Sequence, residues 1–270
     1  MQFRIISDLH VDINHKYYNK FKFDPNAYYL IAGDIAGSRF KVGEFLNHYK
    51  SIGKLNKCVL VAGNHLGYDR EFEFPDQTKE ACINYLTEKF PIQEDICFME
   101  NQHKEIGEDI IVIGCTLYTN FKLFNNRELA MRAAMTYMND FRYVQTYSNL
   151  GGERLITPLD YETRFNNSLE YIKTICEENP DKKIVVVTHH GPSRKSLSEK
   201  YANDILSAAY VSDLEDFIKE HKNIKVWCHG HTHSIKEYSI EQCQVQCYPF
   251  GYWNENGMKL TRYIGKPFEL

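Results

Sequence analysis

The chain has 270 residues, of which 43% are hydrophobic and 25% are charged, as is typical of a folded globular protein rather than a disordered one. Its formal net charge of −4 argues against a dedicated nucleic-acid-binding module, since such modules usually carry an excess of lysine and arginine. No apolar run approaches the ~20 residues that a membrane-spanning helix needs, and MQFRIISDLH lacks the pattern of a signal peptide. We therefore expect a cytoplasmic protein with no membrane partner.

The eight cysteines form no CxxC pair, and several of them lie inside apolar runs. Buried free thiols in a reducing compartment explain this pattern best. Cys243 and Cys247 are four residues apart but have no second cysteine pair, which disfavours a structural zinc site.

Short apolar runs alternate along the chain with amphipathic segments of helical length. The runs predict strands that are buried on both faces, at residues 2–7, 28–32, 58–62, 110–114, 184–188 and 225–228. Helices are predicted at residues 42–51, 77–89, 127–139, 161–178 and 212–222, the last with Ser212 as N-cap and Glu215 completing a capping box. Residues 234–239 and 244–249 predict a hairpin. Since no linker or repeat interrupts this pattern, we expect one α/β domain over residues 1–270.

Residues 116–160 form a long segment that is rich in aromatic residues and methionines. Met131, Met135 and Met138 follow helical spacing, which is typical of a packing face. Long excursions from a scaffold are also common sites of lids and binding loops. Packing on the domain is the favoured interpretation, and a role in lining or capping the active site stays open.

Polar residues follow five of the predicted strands, at the point where each strand ends. In open α/β sheets, ligands bind in the crevice beyond the carboxyl ends of the strands, so we expect these residues to converge. Imidazole and carboxylate groups suit zinc, manganese and iron, and two such ions in one site polarise a phosphate ester and activate water. Each fragment alone is an ordinary turn motif, but five in succession are not. The residues are Asp8 and His10, Asp34, Asn64 and His65, His189 and His190, and His231 and His233.

The blocks DLH, GD, GNH, THH and GHTH, in this order from Asp8 to His233, resemble the calcineurin-like metallophosphoesterase family. The resemblance implies an α/β fold: a four-layer αββα sandwich of two mixed β-sheets flanked by helices. It also implies a hydrolase of small phosphomonoesters or phosphodiesters, nucleotides among them. The segments TLYTNF and MNDFR are similar to a subgroup of bacterial phosphohydrolases in this family.

The resemblance also implies a role for each residue of the five blocks. Two divalent metal ions are expected, with Asp34 bridging them, and their identity is left open among manganese, iron, zinc and cobalt. His65 is implied to protonate the leaving oxygen as water between the ions attacks phosphorus, while Asn64 also touches a phosphate oxygen. His189 is preferred over His190 as a ligand from its position relative to the following proline. The implied ligands of the first ion are Asp8, His10 and His233, and those of the second are Asn64, His189 and His231.

One position departs from the family pattern. Many relatives carry an acidic residue directly after GNH, where this chain has Leu66, so a possible partner of His65 is missing. For substrate contacts the candidates are Tyr118, Asp140, Arg142, His190 and Arg194. Local packing or ion pairing explains each of these equally well.

Two other functions compete with hydrolysis of small esters. A nuclease is an alternative, because the same motifs occur in relatives that digest DNA, but the net charge and the lack of a basic stripe disfavour it. A binding protein that has lost catalysis is disfavoured too, since every implied ligand position carries a competent residue. The expected partner is a small phosphorylated substrate, and the sequence makes no prediction of oligomeric state.

Overall fold

The computed structural model describes residues 2–68, 76–253, 255 and 265–270, so the predicted domain over residues 1–270 extends beyond the described part. The strands are β1 (Phe3–Ile6), β2 (Tyr28–Ile31), β3 (Lys57–Leu60), β4 (Ile96–Phe98), β5 (Gln102–Ile106), β6 (Ile110–Cys115), β7 (Gln145–Tyr147), β8 (Glu153–Leu155), β9 (Lys183–Thr188), β10 (Ile224–His229), β11 (Lys236–Ile240), β12 (Cys243–Cys247) and β13 (Lys266–Phe268). The helices are α1 (Arg39–Ser51), α2 (Lys79–Lys89), α3 (Arg127–Tyr137), α4 (Asp140–Tyr143), α5 (Pro158–Glu178) and α6 (Glu215–Glu220). Short 3-10 helices lie at His15–Tyr17, Arg194–Ser196, Glu199–Tyr201 and Ile205–Ala209.

Two mixed sheets form the centre of the fold. The first has the strand order β13-β1-β2-β3-β4, with β1 to β4 parallel and β13 antiparallel to β1. The second has the order β11-β12-β10-β9-β6-β5, and its core strands β6, β9, β10 and β12 run parallel. β11 and β12 pair antiparallel, which confirms the predicted hairpin.

The strands are apolar throughout because both of their faces are buried. In β2, Tyr28 and Leu30 pack between the two sheets against Val185 and Val187 of β9, whereas Tyr29 and Ile31 pack on the opposite face among residues of α1. The second sheet repeats this arrangement, with its outer face covered by α5 and α6. Helices therefore cover the outer faces of two facing sheets, which confirms the predicted four-layer sandwich.

The predicted capping box at Ser212 and Glu215 is wrong. α6 begins at Glu215 with Leu214 as N-cap and no side-chain cap bond, because the Glu215 carboxylate instead accepts hydrogen bonds from Ser193 and Lys195. A capping box does form at α5, where Thr157 and Asp160 exchange hydrogen bonds with each other's backbone N–H groups.

Residues 116–160 contain α3, α4 and the β7–β8 hairpin, which pack on α5 through a separate apolar cluster that includes Tyr118, Phe141 and Tyr161. The predicted methionine face holds only in part, since Met138 is buried while Met135 is 52% exposed. All eight cysteines are buried and free, as predicted. Of the helices in the described part of the chain, none combines the length and apolar character needed to cross a bilayer.

Candidate functional site

The polar residues of the five sequence blocks lie together beyond the carboxyl ends of β1, β2, β3, β9 and β10. The loops that carry them are joined to each other by backbone hydrogen bonds, such as His10 N to Asp34 O at 3.0 Å and Gly230 N to His189 O at 3.0 Å. Five of the residues have φ angles between 43° and 66°, a left-handed conformation that Asp, Asn and His tolerate better than most residues. Such strain concentrates at functional sites. The five are Asp8, His10, Asp34, His231 and His233.

We call the seven predicted ligands the candidate metal centre: Asp8, His10, Asp34, Asn64, His189, His231 and His233. On one side, His233 Nε2 lies 3.1 Å from His10 Nε2 and 3.4 Å from Asp8 Oδ1.

On the other side, His189 Nε2 lies 2.8 Å from Asn64 Oδ1 and 3.3 Å from Asp34 Oδ2. The ligand atoms of Asp34, His189 and His231 lie within 4.8 Å of one another, and so do those of Asp34, His10 and His65. Asp34 therefore stands between the two halves of the centre.

His189 and His190 point into different surroundings. His189 Nδ1 is held by the carbonyl of Ala32 at 2.9 Å, which orients Nε2 toward Asp34 and Asn64. The ring of His190 packs against those of Tyr118 and His231, and its Nδ1 faces the carbonyl of Thr116. The geometry therefore favours His189 as the ligand.

The protonation states of the carboxylates and of two histidines suit metal binding. Burial lowers the pKa of His10 to about 3 and that of His231 well below its usual value, so both rings are neutral. Burial opposes ionisation of Asp8, but its hydrogen bond with His233 lowers its pKa to about 2. Burial likewise opposes ionisation of Asp34, but the charge of His189 holds its pKa well below the usual range.

His189 and His233 are the exceptions among the histidines of the centre. Burial acts to lower the pKa of His189, but the charge of Asp34 outweighs burial and raises it. Burial also acts to lower the pKa of His233, but the hydrogen bonds with Asp8 and Glu255 outweigh burial and raise it to about 10. Ligation through His233 would therefore release a proton.

Two buried ring nitrogens of the candidate metal centre, His10 Nδ1 and His231 Nε2, have no hydrogen-bond partner among the described residues. A buried polar atom without a partner costs free energy, and in native proteins such atoms commonly mark a missing ion or water. Neutral imidazoles beside ionised carboxylates are also the donor set that divalent transition metals prefer. The residues present therefore fit a metal ion.

His65 lies beside the candidate metal centre, with Nε2 3.9 Å from Asp34 Oδ2 and its backbone N–H donating to Asp34 Oδ1 at 3.0 Å. Its ring stacks on that of Tyr68 at 4.2 Å between centroids. Tyr68 Oη accepts from Asn64 Nδ2 at 3.3 Å and donates to Asp140 Oδ2 at 2.5 Å. Although Leu66 follows the GNH block, hydrogen bonds through Tyr68 thus link the Asp140 carboxylate to Asn64, and the ring of the same tyrosine stacks on His65.

A cavity of about 420 Å³ opens beside Asp34, Asn64 and His65. Among the described residues that line this cavity, Asp140 is the one that belongs to the five predicted substrate contacts. Residues 137–139, from the long segment 116–160, also line the cavity. Tyr118 and His190 are buried and are not among the described residues that line the cavity.

The two predicted arginine contacts lie away from this cavity lining. Arg142 is exposed and donates to the carbonyl of Thr136, and Arg194 lies over the ring of Phe124. Both arginines therefore make local packing or hydrogen-bond contacts, which is the alternative to substrate binding that the sequence analysis gave for them.

Other lining residues carried no signal in the sequence. The ring of Tyr252 stacks on that of His10 at 4.9 Å, and Glu255 accepts a hydrogen bond from His233 Nδ1 at 2.6 Å. Tyr210 stacks on His231 at 4.4 Å. None of these residues lies in a recognisable motif, since each reaches the site through the fold and not through sequence spacing.

Lys79 holds the loop that carries Asn64 and His65. It is fully buried at the start of α2, and its ammonium group donates to the carbonyls of Gly63 at 2.6 Å and Leu66 at 2.9 Å. Burial lowers its pKa to about 8, with the charge of Glu100 opposing this effect.

Replacement Lys79→Met is expected to lower the free energy of unfolding by about 2–4 kcal/mol, because two buried carbonyls lose their donor. Urea denaturation at pH 7 measures this change. Lys89→Met, at the exposed end of the same helix, is the matched control and should change stability little. Equal stabilities of the two variants would contradict the role of Lys79 in holding the loop that carries Asn64 and His65.

Comparisons with known proteins agree with this geometry. The family model for calcineurin-like phosphoesterases matches residues 1–234. The phosphopantetheinyl hydrolase from Mycobacterium tuberculosis is 15% identical with a TM-score of 0.69, and the alignment covers 94% of this chain and 90% of that one. The protein TT1561 of Thermus thermophilus is 10% identical with a TM-score of 0.50, over 91% of this chain and 88% of that one. No curated protein sequence matches the chain significantly.

At identities this low, the two structures show that the fold is shared. They do not show that this chain has the same substrate or that its residues have the same roles. The family model is the stronger finding, because it covers most of the chain and all five motif blocks from Asp8 to His233. The chain belongs to the calcineurin-like phosphoesterase family, a family of metal-dependent phosphoric ester hydrolases.

Proposed function

We propose that the chain hydrolyses small phosphomonoesters or phosphodiesters with two divalent metal ions bound at the candidate metal centre. The observation that carries this proposal is the convergence of seven ligand side chains at one end of a cavity of about 420 Å³. A cavity of that size suits a small molecule rather than a folded macromolecule. The Mycobacterium tuberculosis protein with the similar fold is named a phosphopantetheinyl hydrolase.

Asp8, His10 and His233 would hold one ion, and Asn64, His189 and His231 the other, with Asp34 shared between them. The mixed oxygen and nitrogen ligands suit manganese, iron, zinc or cobalt, with availability deciding among them. Bound ions would supply Lewis acidity, which neutralises charge on the phosphate oxygens and lowers the pKa of water at the site.

His65 is proposed as the general acid that protonates the leaving oxygen. It lines the cavity, while its backbone N–H is tied to Asp34 Oδ1, so the acid is held at a fixed position beside the metal ligands. Stacking on Tyr68 limits rotation of its ring, and Asn64 is oriented by the same tyrosine. Imidazole suits this task because its ordinary pKa lies close to neutral pH.

A nuclease of the same family is less well supported. Proteins that bind nucleic acid contact the phosphates with lysine and arginine. In the described part of the chain, neither residue type lines the cavity. The phosphate of a small ester can instead be neutralised by the metal ions alone.

Removal and return of metal tests the proposal. Protein stripped with a chelator is expected to be inactive toward p-nitrophenyl phosphate and bis-p-nitrophenyl phosphate. Reloading with manganese, iron, zinc or cobalt should restore hydrolysis of one or both esters, with about two ions bound per chain by elemental analysis. Cyclic nucleotides and single-stranded DNA in the same panel measure the breadth of the activity.

Two results would overturn the proposal. One is a protein that holds two ions and hydrolyses none of these esters. The other is a chelated protein, shown to be free of metal, that keeps its full activity.

A further inference from the structure

The cavity extends from the candidate metal centre to a wall of tyrosine rings and carboxylates. Its described lining includes Tyr201, Tyr210 and Tyr252 together with Asp204 and Glu255. Across residues 2–68, 76–253, 255 and 265–270, neither lysine nor arginine contributes to this lining. Tyrosine rings and carboxylates therefore form this wall of the cavity, and three of its residues, Tyr210, Tyr252 and Glu255, also contact ligand histidines.

The carboxylates of this wall differ in whether hydrogen bonds or an ion pair already offset their negative charge. Both oxygens of Asp140 accept hydrogen bonds, from Tyr68 and from Tyr161, and Glu255 is paired with His233. Asp204 is exposed, and its Oδ1 accepts from the backbone N–H of Leu206 at 2.9 Å. Within the described chain, no lysine, arginine or histidine pairs with Asp204. It is thus a carboxylate on the cavity wall whose charge is open to a ligand.

Tyrosine rings next to an unpaired carboxylate are the chemistry that recognises an organic cation. The negative face of an aromatic ring attracts an ammonium group, and quaternary ammonium ligands are held in this way by aromatic residues. The ring of Tyr201 already lies near one cation, because the ammonium group of Lys200 stands 4.8 Å from its centroid.

We propose that this cavity selects phosphate esters whose alcohol carries an ammonium group, with the phosphate at the candidate metal centre and the cation between the tyrosines and Asp204. The proposal rests on the phosphoesterase function proposed above and names its substrate class. His231 lines the cavity, and its buried ring nitrogen Nε2 lacks a partner among the described residues. This nitrogen marks the end of the cavity that the phosphate would occupy.

A pair of matched esters tests the choice of cation. Phosphocholine and 3,3-dimethylbutyl phosphate have nearly the same shape, but a carbon replaces the charged nitrogen in the second. With metal-loaded protein, kcat/KM is expected to be about tenfold higher for phosphocholine, since a desolvated cation gains from both the rings and the carboxylate. p-Nitrophenyl phosphate, measured in parallel, reports whether the protein hydrolyses phosphate esters at all.

Asp204→Asn is the informative variant, because asparagine keeps the side-chain oxygen that caps Leu206 and removes only the charge. In this variant the ratio of kcat/KM for phosphocholine to kcat/KM for 3,3-dimethylbutyl phosphate is expected to fall several-fold toward one. Comparing the ratio between variant and parent cancels the intrinsic difference in reactivity of the two esters. Asp216→Asn removes the same charge from a side chain that is 92% exposed and outside the cavity, so the ratio should stay as in the parent.

The outcomes separate the two proposals. Hydrolysis of all three esters with equal kcat/KM for the matched pair, or with the neutral ester preferred, would overturn the cation site and leave the phosphoesterase standing. A preference for phosphocholine that Asp204→Asn does not alter would also overturn it. Metal-loaded protein that hydrolyses none of the three esters would count against the phosphoesterase itself.

Discussion

His65→Ala is expected to lower kcat by roughly 10²–10⁴-fold for esters of ordinary alcohols, the range that general acid catalysis contributes. The loss should be much smaller for p-nitrophenyl phosphate, because nitrophenolate leaves without needing a proton. Both effects follow if the ring beside Asp34 protonates the leaving oxygen. Steady-state kinetics with an alkyl and an aryl phosphate measure the two losses.

Metal content separates this role from that of a ligand. His65 lies close enough to His10 and Asp34 to share an ion with them, so geometry alone leaves both roles open. His65→Ala is expected to keep both ions, whereas Asp34→Asn should lose metal together with activity. Exchange of the exposed His15 for alanine is the control and should change neither quantity. Loss of an ion from His65→Ala, with equal falls for alkyl and aryl esters, would make His65 a ligand instead.

Gly63→Ala is expected to lower the free energy of unfolding by about 2–5 kcal/mol. Gly63 has a φ of +79°, a conformation that costs an alanine about 1–2 kcal/mol, and overpacking adds a further ~1–3 kcal/mol. A methyl group there would overlap Asp34 Oδ1 and stand 2.6 Å from Asp34 N. Since the backbone of Asp34 cannot move without disturbing β2 and β3, activity should fall along with stability.

Gly53→Ala is the matched control for that variant. Gly53 also has a positive φ, +64°, but an added methyl group would meet no atom within 4 Å. It should therefore show the conformational cost alone, and the difference between the two variants isolates the crowding at Asp34. Chemical denaturation gives both values, and similar losses in the two variants would contradict the close contact.

The residues of the candidate metal centre were accessible from sequence because each follows a short apolar strand. Buried parallel strands such as β9, with the sequence KIVVVT, carry a strong local signal, and their carboxyl ends meet at one edge. Strands without this signal were missed. β5 reads QHKEI and β13 reads KPF, and only pairing with β6 and β1 makes them strands.

The tyrosines that line the cavity could not be predicted from the sequence, for a related reason. Tyr68, Tyr210 and Tyr252 contact the ligand histidines or asparagine through tertiary packing, and no spacing in the sequence relates them to one another. The same limit explains the error at Ser212 and Glu215. The local pattern was right for a capping box, but Ser193 and Lys195 compete for the Glu215 carboxylate.

The pairing of β1 with β13 has a consequence for how the protein is made. β1 lies between β2 and β13, and Gly251 N also donates to the carbonyl of Asp8 at 2.9 Å. On the ribosome, where ~5–20 residues are added per second, the outer edge of β1 stays unpaired until residues 266–268 have been added. Pairings between such distant segments also make folding slow. β1 therefore keeps an open strand edge until β13 has been synthesised, and an open strand edge is a template for aggregation.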